Sequence, residues 1–196
     1  RQMCIRDSTN TDEFFECAKN PDLRFIVSNT TEAGIEYKPN QNPDDFNGLT
    51  FPGRLTLFMK KRFDEGLKGF ILLPCELIDK NGDNLKECIL KYSEDWGYGS
   101  EFEKWIETEN HFTNTLVDRI VTGYPRDNAK EMEQSYGYLD DMIDTAEIFH
   151  LWVIEGDKKL AEEIPFHKIG LNVLWTDDVT PYKKRKVRIL NGAHTM

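Results

Sequence analysis

Two short apolar runs, each bounded by turn residues, mark the first half of the chain: Arg24-Phe25-Ile26-Val27-Ser28 and Gly69-Phe70-Ile71-Leu72-Leu73. A run without polar alternation suits a strand buried on both faces, as in a parallel sheet. Between the two, Pro52 opens a segment from Gly53 to Glu65 in which Leu55, Phe58, Met59 and Phe63 recur at helical spacing, and Gly66 is a natural stop. Strand, helix and strand in this order predict a βαβ unit, with parallel pairing and a right-handed crossover. The turns at 30–34 and 75–82 then fall at the same edge of the sheet.

The same reading predicts a short helix from Thr11 to Asn20, ended by Pro21, and a polar loop over 36–50. An amphipathic helix is expected from Asn84 to Trp96, with Leu85, Cys88, Ile89, Tyr92 and Trp96 on one side. Helical spacing resumes from Glu101 to Thr108 and from Asn128 to Tyr138, and Phe149–Glu155 reads as a strand. The tail from Asp178 begins like a helix, since Pro181 suits a first turn, and no breaker follows until Gly192. Residues 1–8, RQMCIRDS, fit no element and read as a foreign leader.

Composition narrows the class. Hydrophobic residues make up 39% and charged residues 31%, ordinary for a globular protein. The net charge of −10 argues against general nucleic-acid binding. No apolar run approaches the roughly 20 residues that span a bilayer, so no membrane partner is expected and the cytoplasm is the simple location. Cys4, Cys17, Cys75 and Cys88 have neither C-x-x-C spacing nor paired histidines, so no metal site is expected. The cluster Asp140, Asp141, Asp144 and Glu147 lacks the spacing of a calcium loop and reads as surface.

Candidate chemistry concentrates in the tail. At about 100° per residue, Asn191 lies roughly 140° and His194 roughly 80° round a regular helix from Lys186. An ammonium, an amide and an imidazole looking into one cleft can polarise and protonate a carbonyl oxygen. Spacing alone also fits a basic surface helix with a buried histidine near its end.

Lysine, asparagine five residues on and histidine three further resembles the catalytic signature of the mannitol dehydrogenase family, the polyol-specific long-chain dehydrogenases. SNTTEAGI, LPCELIDKNGDNL, TLVDRIVTGYPRD and NVLWTDDVTPYKKRKVRILNGAHT follow in order along the chain and are similar to a branch of that family acting on keto sugar acids. The resemblance implies an α/β fold: the later part of a Rossmann-like, NAD-binding parallel-sheet domain over 9–146, then the start of a mainly helical substrate domain over 147–196, with the boundary near 144–148. It implies reversible hydride transfer between NADH and the keto carbon of a small sugar acid. Lys186 would move the proton, Asn191 would hydrogen-bond the same oxygen, and His194 would bind a neighbouring hydroxyl or steady the lysine. Thr31, Glu32 and Glu76 would lie near the nicotinamide end of the cofactor.

Asp118 would bind a substrate hydroxyl, or else form an internal ion pair with Arg119 or another base. The basic run containing Lys183 and Lys184 would rim the pocket for the carboxylate, or else form a solvated helix face. One departure matters: Leu77 stands where many polyol members have an asparagine thought to help polarise the substrate oxygen, and leucine cannot do so. A glycine-rich turn for the pyrophosphate is not found in the 196 residues. The chain therefore resembles an internal piece of a longer enzyme, expected to be inactive alone. Two rival readings are a family member with a different keto acid or a ketose as substrate, and a catalytically inert α/β interaction module. Oligomeric state is left open.

Overall fold

A computed structural model describes residues 11–191, with side chains through Arg188. The octapeptide read as a leader and His194 lie outside the described residues. Strand β1 (Phe25–Ser28) runs parallel to β2 (Ile71–Pro74), in register from Phe25 opposite Ile71 to Ser28 opposite Pro74. Strand β2 is also parallel to the short β3 (His111–Phe112). Helix α1 (Thr11–Ala18) precedes β1, and α2 (Phe51–Asp64) makes the crossover to β2. Thr50 caps α2, its hydroxyl accepting from the Gly53 amide. Helices α3 (Asn81–Asp95) and α4 (Ser100–Glu109) follow.

The unbroken apolar run of β2 has a direct cause. Successive side chains of a strand point to opposite faces, and both faces of β2 are covered. Leu72 packs with Leu55, Met59, Leu85, Ile89 and Phe102 in the helical layer. Ile71 and Leu73 pack on the other side with Ile154, Leu160, Ile164 and Val173.

That second layer comes from later in the chain. Strand β4 (Asn114–Asp118) is antiparallel to β7 (Leu151–Glu155), and β7 is parallel to β8 (Val173–Thr176). Segments on either side of 144–148 thus share one sheet. Between β4 and β7 lie a small antiparallel ribbon of β5 (Val121–Gly123) and β6 (Thr145–Ala146), and helix α5 (Ala129–Tyr136).

Two elements differ from the pattern-based expectation. Helix α3 begins at Asn81 rather than Asn84. The Asn114 side-chain oxygen, from β4, accepts from the Gly82 and Asp83 amides at 3.1 Å each and supplies the cap that the local sequence lacks. Only glycine fits at 82, because a Cβ there would stand 2.3 Å from the Thr113 carbonyl oxygen. The tail is not one regular helix either. Helix α6 (Thr180–Arg185) gives way to a wider π-helical turn over Lys186–Asn191. The β-branched Val187 and Ile189 are weaker helix formers than the residues before them, and Lys186 is tethered to β4. The angle expected between Lys186 and Asn191 therefore does not hold, since a π turn winds at i→i+5.

Candidate active site

The turns after β1 and β2 meet through one carboxylate. Glu76, only 3% exposed, accepts from the Ser28 hydroxyl at 3.0 Å, the Thr30 amide at 3.0 Å and the Thr30 hydroxyl at 2.9 Å. Three donors on a buried carboxylate satisfy it and lock the first turn to the second. Asn81 steadies the second turn from behind. Its amide nitrogen donates to the carbonyls of Pro74, Glu76 and Thr115, and its oxygen accepts from the Thr115 amide at 2.8 Å.

Above these turns lies a cleft of about 200 Å³ whose lining includes Glu32, Glu76, Leu77, Val117, Lys183 and Lys186. It opens outside the carboxyl ends of β1 and β2, the usual place for a ligand in an open parallel sheet. Lys186 enters from the tail. Its ammonium donates to the Val117 carbonyl at 3.1 Å and pairs with Asp118 at 3.0 Å, both side chains being less than a fifth exposed. Asp118 is thus ion-paired with Lys186, and Arg119 instead donates to the Glu147 carbonyl.

The approach of the tail is set by Glu155 at the end of β7. One carboxylate oxygen accepts from the Asn114 amide group at 2.9 Å, and the other from the Val179 backbone amide at 2.8 Å, just before α6. The same Asn114 caps α3. A single polar network therefore fixes α3, β4, β7 and the start of α6 relative to one another.

Lys183 lies between two clefts. It lines the first and also a neighbouring one of about 490 Å³, together with Asp79, Lys80, Lys184 and Arg188. Its ammonium pairs with Asp79 at 2.5 Å, and the lysine holds the Asp79 carboxyl below the usual carboxylate range.

The structure brings Lys186, Asp118, Lys183, Glu32 and Glu76 to one place. Lys184 faces the second cleft only. Thr31 is exposed on its turn and outside the cleft lining, while its neighbour Thr30 makes the contacts to Glu76. Asn191 lies in the π-helical turn with its side chain outside the described residues, as is all of His194. Among the described residues no group of His, Cys, Asp or Glu side chains is placed to hold a metal ion, and no helix is long and apolar enough to cross a membrane. Sequence reasoning missed Asn81, Asn114 and Glu155. Asn81 precedes a glycine and so reads as a turn, and the other two sit within strand-like segments where nothing local marks their partners.

Comparison with known proteins bears on the family and the fold. The profile of the mannitol dehydrogenase Rossmann domain matches residues 3–168. The altronate oxidoreductases of Enterobacter sp. (strain 638) and Shigella flexneri are 51% and 52% identical over 188 residues, covering 94% of this chain. The chain spans 39% of the length of those relatives. Among solved structures, D-sorbitol dehydrogenase in substrate-free form superposes with a TM-score of 0.76 at 27% identity, covering 94% of this chain and 40% of that one. Mannitol 2-dehydrogenase of Pseudomonas fluorescens, in its ternary complex with NAD and D-mannitol, shares the fold, with a TM-score of 0.73 at 22% identity over 94% of this chain and 39% of that one. With the profile covering most of its length and the parallel β1–β2–β3 unit in place, the chain belongs to the mannitol dehydrogenase family.

Proposed function

We propose that this chain carries the catalytic lysine of an enzyme that interconverts D-tagaturonate and D-altronate by reversible hydride transfer with NAD. The observation that carries the reading is the Lys186 ammonium, held by the Val117 carbonyl and Asp118 beside a cleft at the carboxyl ends of parallel strands. Identity of about half the residues with altronate oxidoreductases supports the substrate.

The residues present fit the reactive end of a dinucleotide. The turns after β1 and β2 are locked by Glu76, and Glu32 and Leu77 line the cleft beside them. When bound, NADH supplies the hydride. The chain's own part is to orient the keto group and manage one proton. Lys186 donates its proton to the oxygen as alkoxide character develops, and takes it back in the reverse direction. Asp118 holds the ammonium in position. Asn191 is assigned a hydrogen bond to the same oxygen, and His194 one to a neighbouring hydroxyl. Leu77 lines the cleft and gives the oxygen no donor, which leaves the polarising role to the tail. Lys183 and Lys184 provide positive charge for the carboxylate.

Steady-state turnover of D-tagaturonate, D-fructuronate and D-fructose by a full-length enzyme carrying this segment tests the reading. Tagaturonate should give the highest kcat/KM with NADH. Preference for either of the others would reassign the enzyme within the family, and no turnover of any would favour an inert α/β interaction module.

A further inference from the structure

The basic cleft beside the catalytic lysine holds a carboxylate of the protein's own. Asp79 sits on the turn after β2, and its carboxylate pairs with the Lys183 ammonium at 2.5 Å while remaining largely exposed itself. Lys80, Lys184 and Arg188 line the same cleft. Four cationic side chains thus line one cleft in a chain whose net charge is −10, with Lys80 also pairing with Asp83 at 3.8 Å and Lys80 and Lys184 both close enough to act on Asp178. Carboxylates offset the mutual repulsion of these cations, and of them Asp79 is the one that lines the cleft itself. The backbone at Lys80 adds a second observation. Its φ of 47° and ψ of 51° lie in the left-handed region, which is costly for a side chain with a Cβ and clusters at functional sites.

We propose that Asp79 occupies the carboxylate subsite of the substrate, and that the sugar acid's carboxylate displaces it from Lys183, with Arg188 and Lys80 completing the subsite. This rests on the sugar-acid reading above and assigns that site's acid-recognising residues. Lys183, on α6, and Lys186, at the start of the π-helical turn, are three residues apart and both line the smaller cleft. In D-tagaturonate the carboxylate carbon is four bonds from the keto carbon, about 5 Å in an extended chain at ordinary C–C lengths. Because Lys183 lines both clefts, a sugar acid of that length with its keto oxygen at Lys186 can extend its carboxylate toward Lys183. No bond is made or broken in the exchange. One carboxylate leaves the lysine and another takes its place.

The test uses a full-length enzyme carrying this segment, with D-tagaturonate and D-tagatose, the same carbon chain with a hydroxymethyl group in place of the carboxylate. Lys183→Gln should lower the ratio of kcat/KM for tagaturonate over tagatose by about 10- to 100-fold, the worth of a hydrogen bond to a charged group. Asp79→Asn removes the competitor. It should lower the tagaturonate KM several-fold relative to the tagatose KM. An unchanged ratio in Lys183→Gln, or an Asp79→Asn enzyme whose KM rises for both sugars alike, would make the pair a structural clasp and overturn the proposal. The sugar-acid reading stands or falls separately, on whether the unmutated enzyme prefers tagaturonate.

Discussion

The Lys186 ammonium lies 3.0 Å from the Asp118 carboxylate, joining residues from the tail and from the end of β4. This pair fastens the tail to the sheet at the cleft. It gives Asp118 a definite partner, and it gives Lys186 an orientation that an exposed helix lysine would not keep.

Lys186→Ala in a full-length enzyme should therefore lower kcat far more than it raises KM. A group acting on the developing alkoxide stabilises the transition state more than the bound ketone. General acid–base catalysis is typically worth about 10²–10⁴-fold, and a loss of that order is expected. Asn191→Ala should cost about 10²-fold, as for loss of one oxyanion donor. Arg185→Ala serves as the comparison, since Arg185 is exposed and outside the lining of both clefts. Steady-state kinetics across pH decide the matter. Near-normal kcat and an unchanged pH profile in Lys186→Ala would leave the lysine a structural tether.

Glu76 should be a stability residue as well as a neighbour of the cleft. Glu76→Ala strips three donors of their acceptor at once. The Thr30 donors recover some water because their turn is exposed, so the loss should be about 2 kcal/mol. Glu76→Gln, which keeps an acceptor oxygen, should lose less. Urea unfolding followed by circular dichroism measures both, and equal losses would show that the hydrogen bonds matter less than the volume.

Arg62 is the buried charge that the apolar pattern did not reveal. It is 1% exposed on α2, donates to the carbonyls of Lys68, Ala18 and Asn20, and lies 4.3 Å from the Phe70 ring centroid. Burial pushes its guanidinium below the usual range, with Arg24 nearby acting in the same direction. Arg62→Met should cost about 3 kcal/mol, because carbonyls at the end of α1 and before β2 lose their donor. A smaller loss than Leu55→Ala in the same unfolding assay would contradict this.

Thiol reactivity should follow burial. Desolvation pushes the Cys75 thiol up to about 11 and raises Cys88 as well, whereas Cys17 is exposed. Since the thiolate is the nucleophile, iodoacetamide at pH 8 should label Cys17 quickly and leave Cys75 and Cys88 largely unmodified. As pH rises toward 11 the Cys75 thiolate gains population and its labelling should accelerate. Peptide mapping by mass spectrometry reads each site, and rapid labelling of Cys75 at pH 8 would show that its turn opens.

The elements whose identity depends on nearest neighbours were legible early. The runs at 24–28 and 69–73 had to be strands because a short unbroken apolar run leaves few other places to bury it, and a helix between two such runs leaves parallel pairing as the simple topology. The four sequence blocks pointed to the family, and lysine, asparagine and histidine at fixed spacing made the tail the candidate site. What only tertiary structure decided were contacts with no local sign. Asn114 reaches from one strand to start α3 ahead of its apparent cap, and Glu155 fixes where the tail departs. Lys186 finds Asp118, 68 positions earlier in the sequence, and Lys183 finds Asp79. Periodicity reports which face of an element is apolar. It carries no information on which polar side chain from a distant element will be the partner, because that choice is made by packing the layers together.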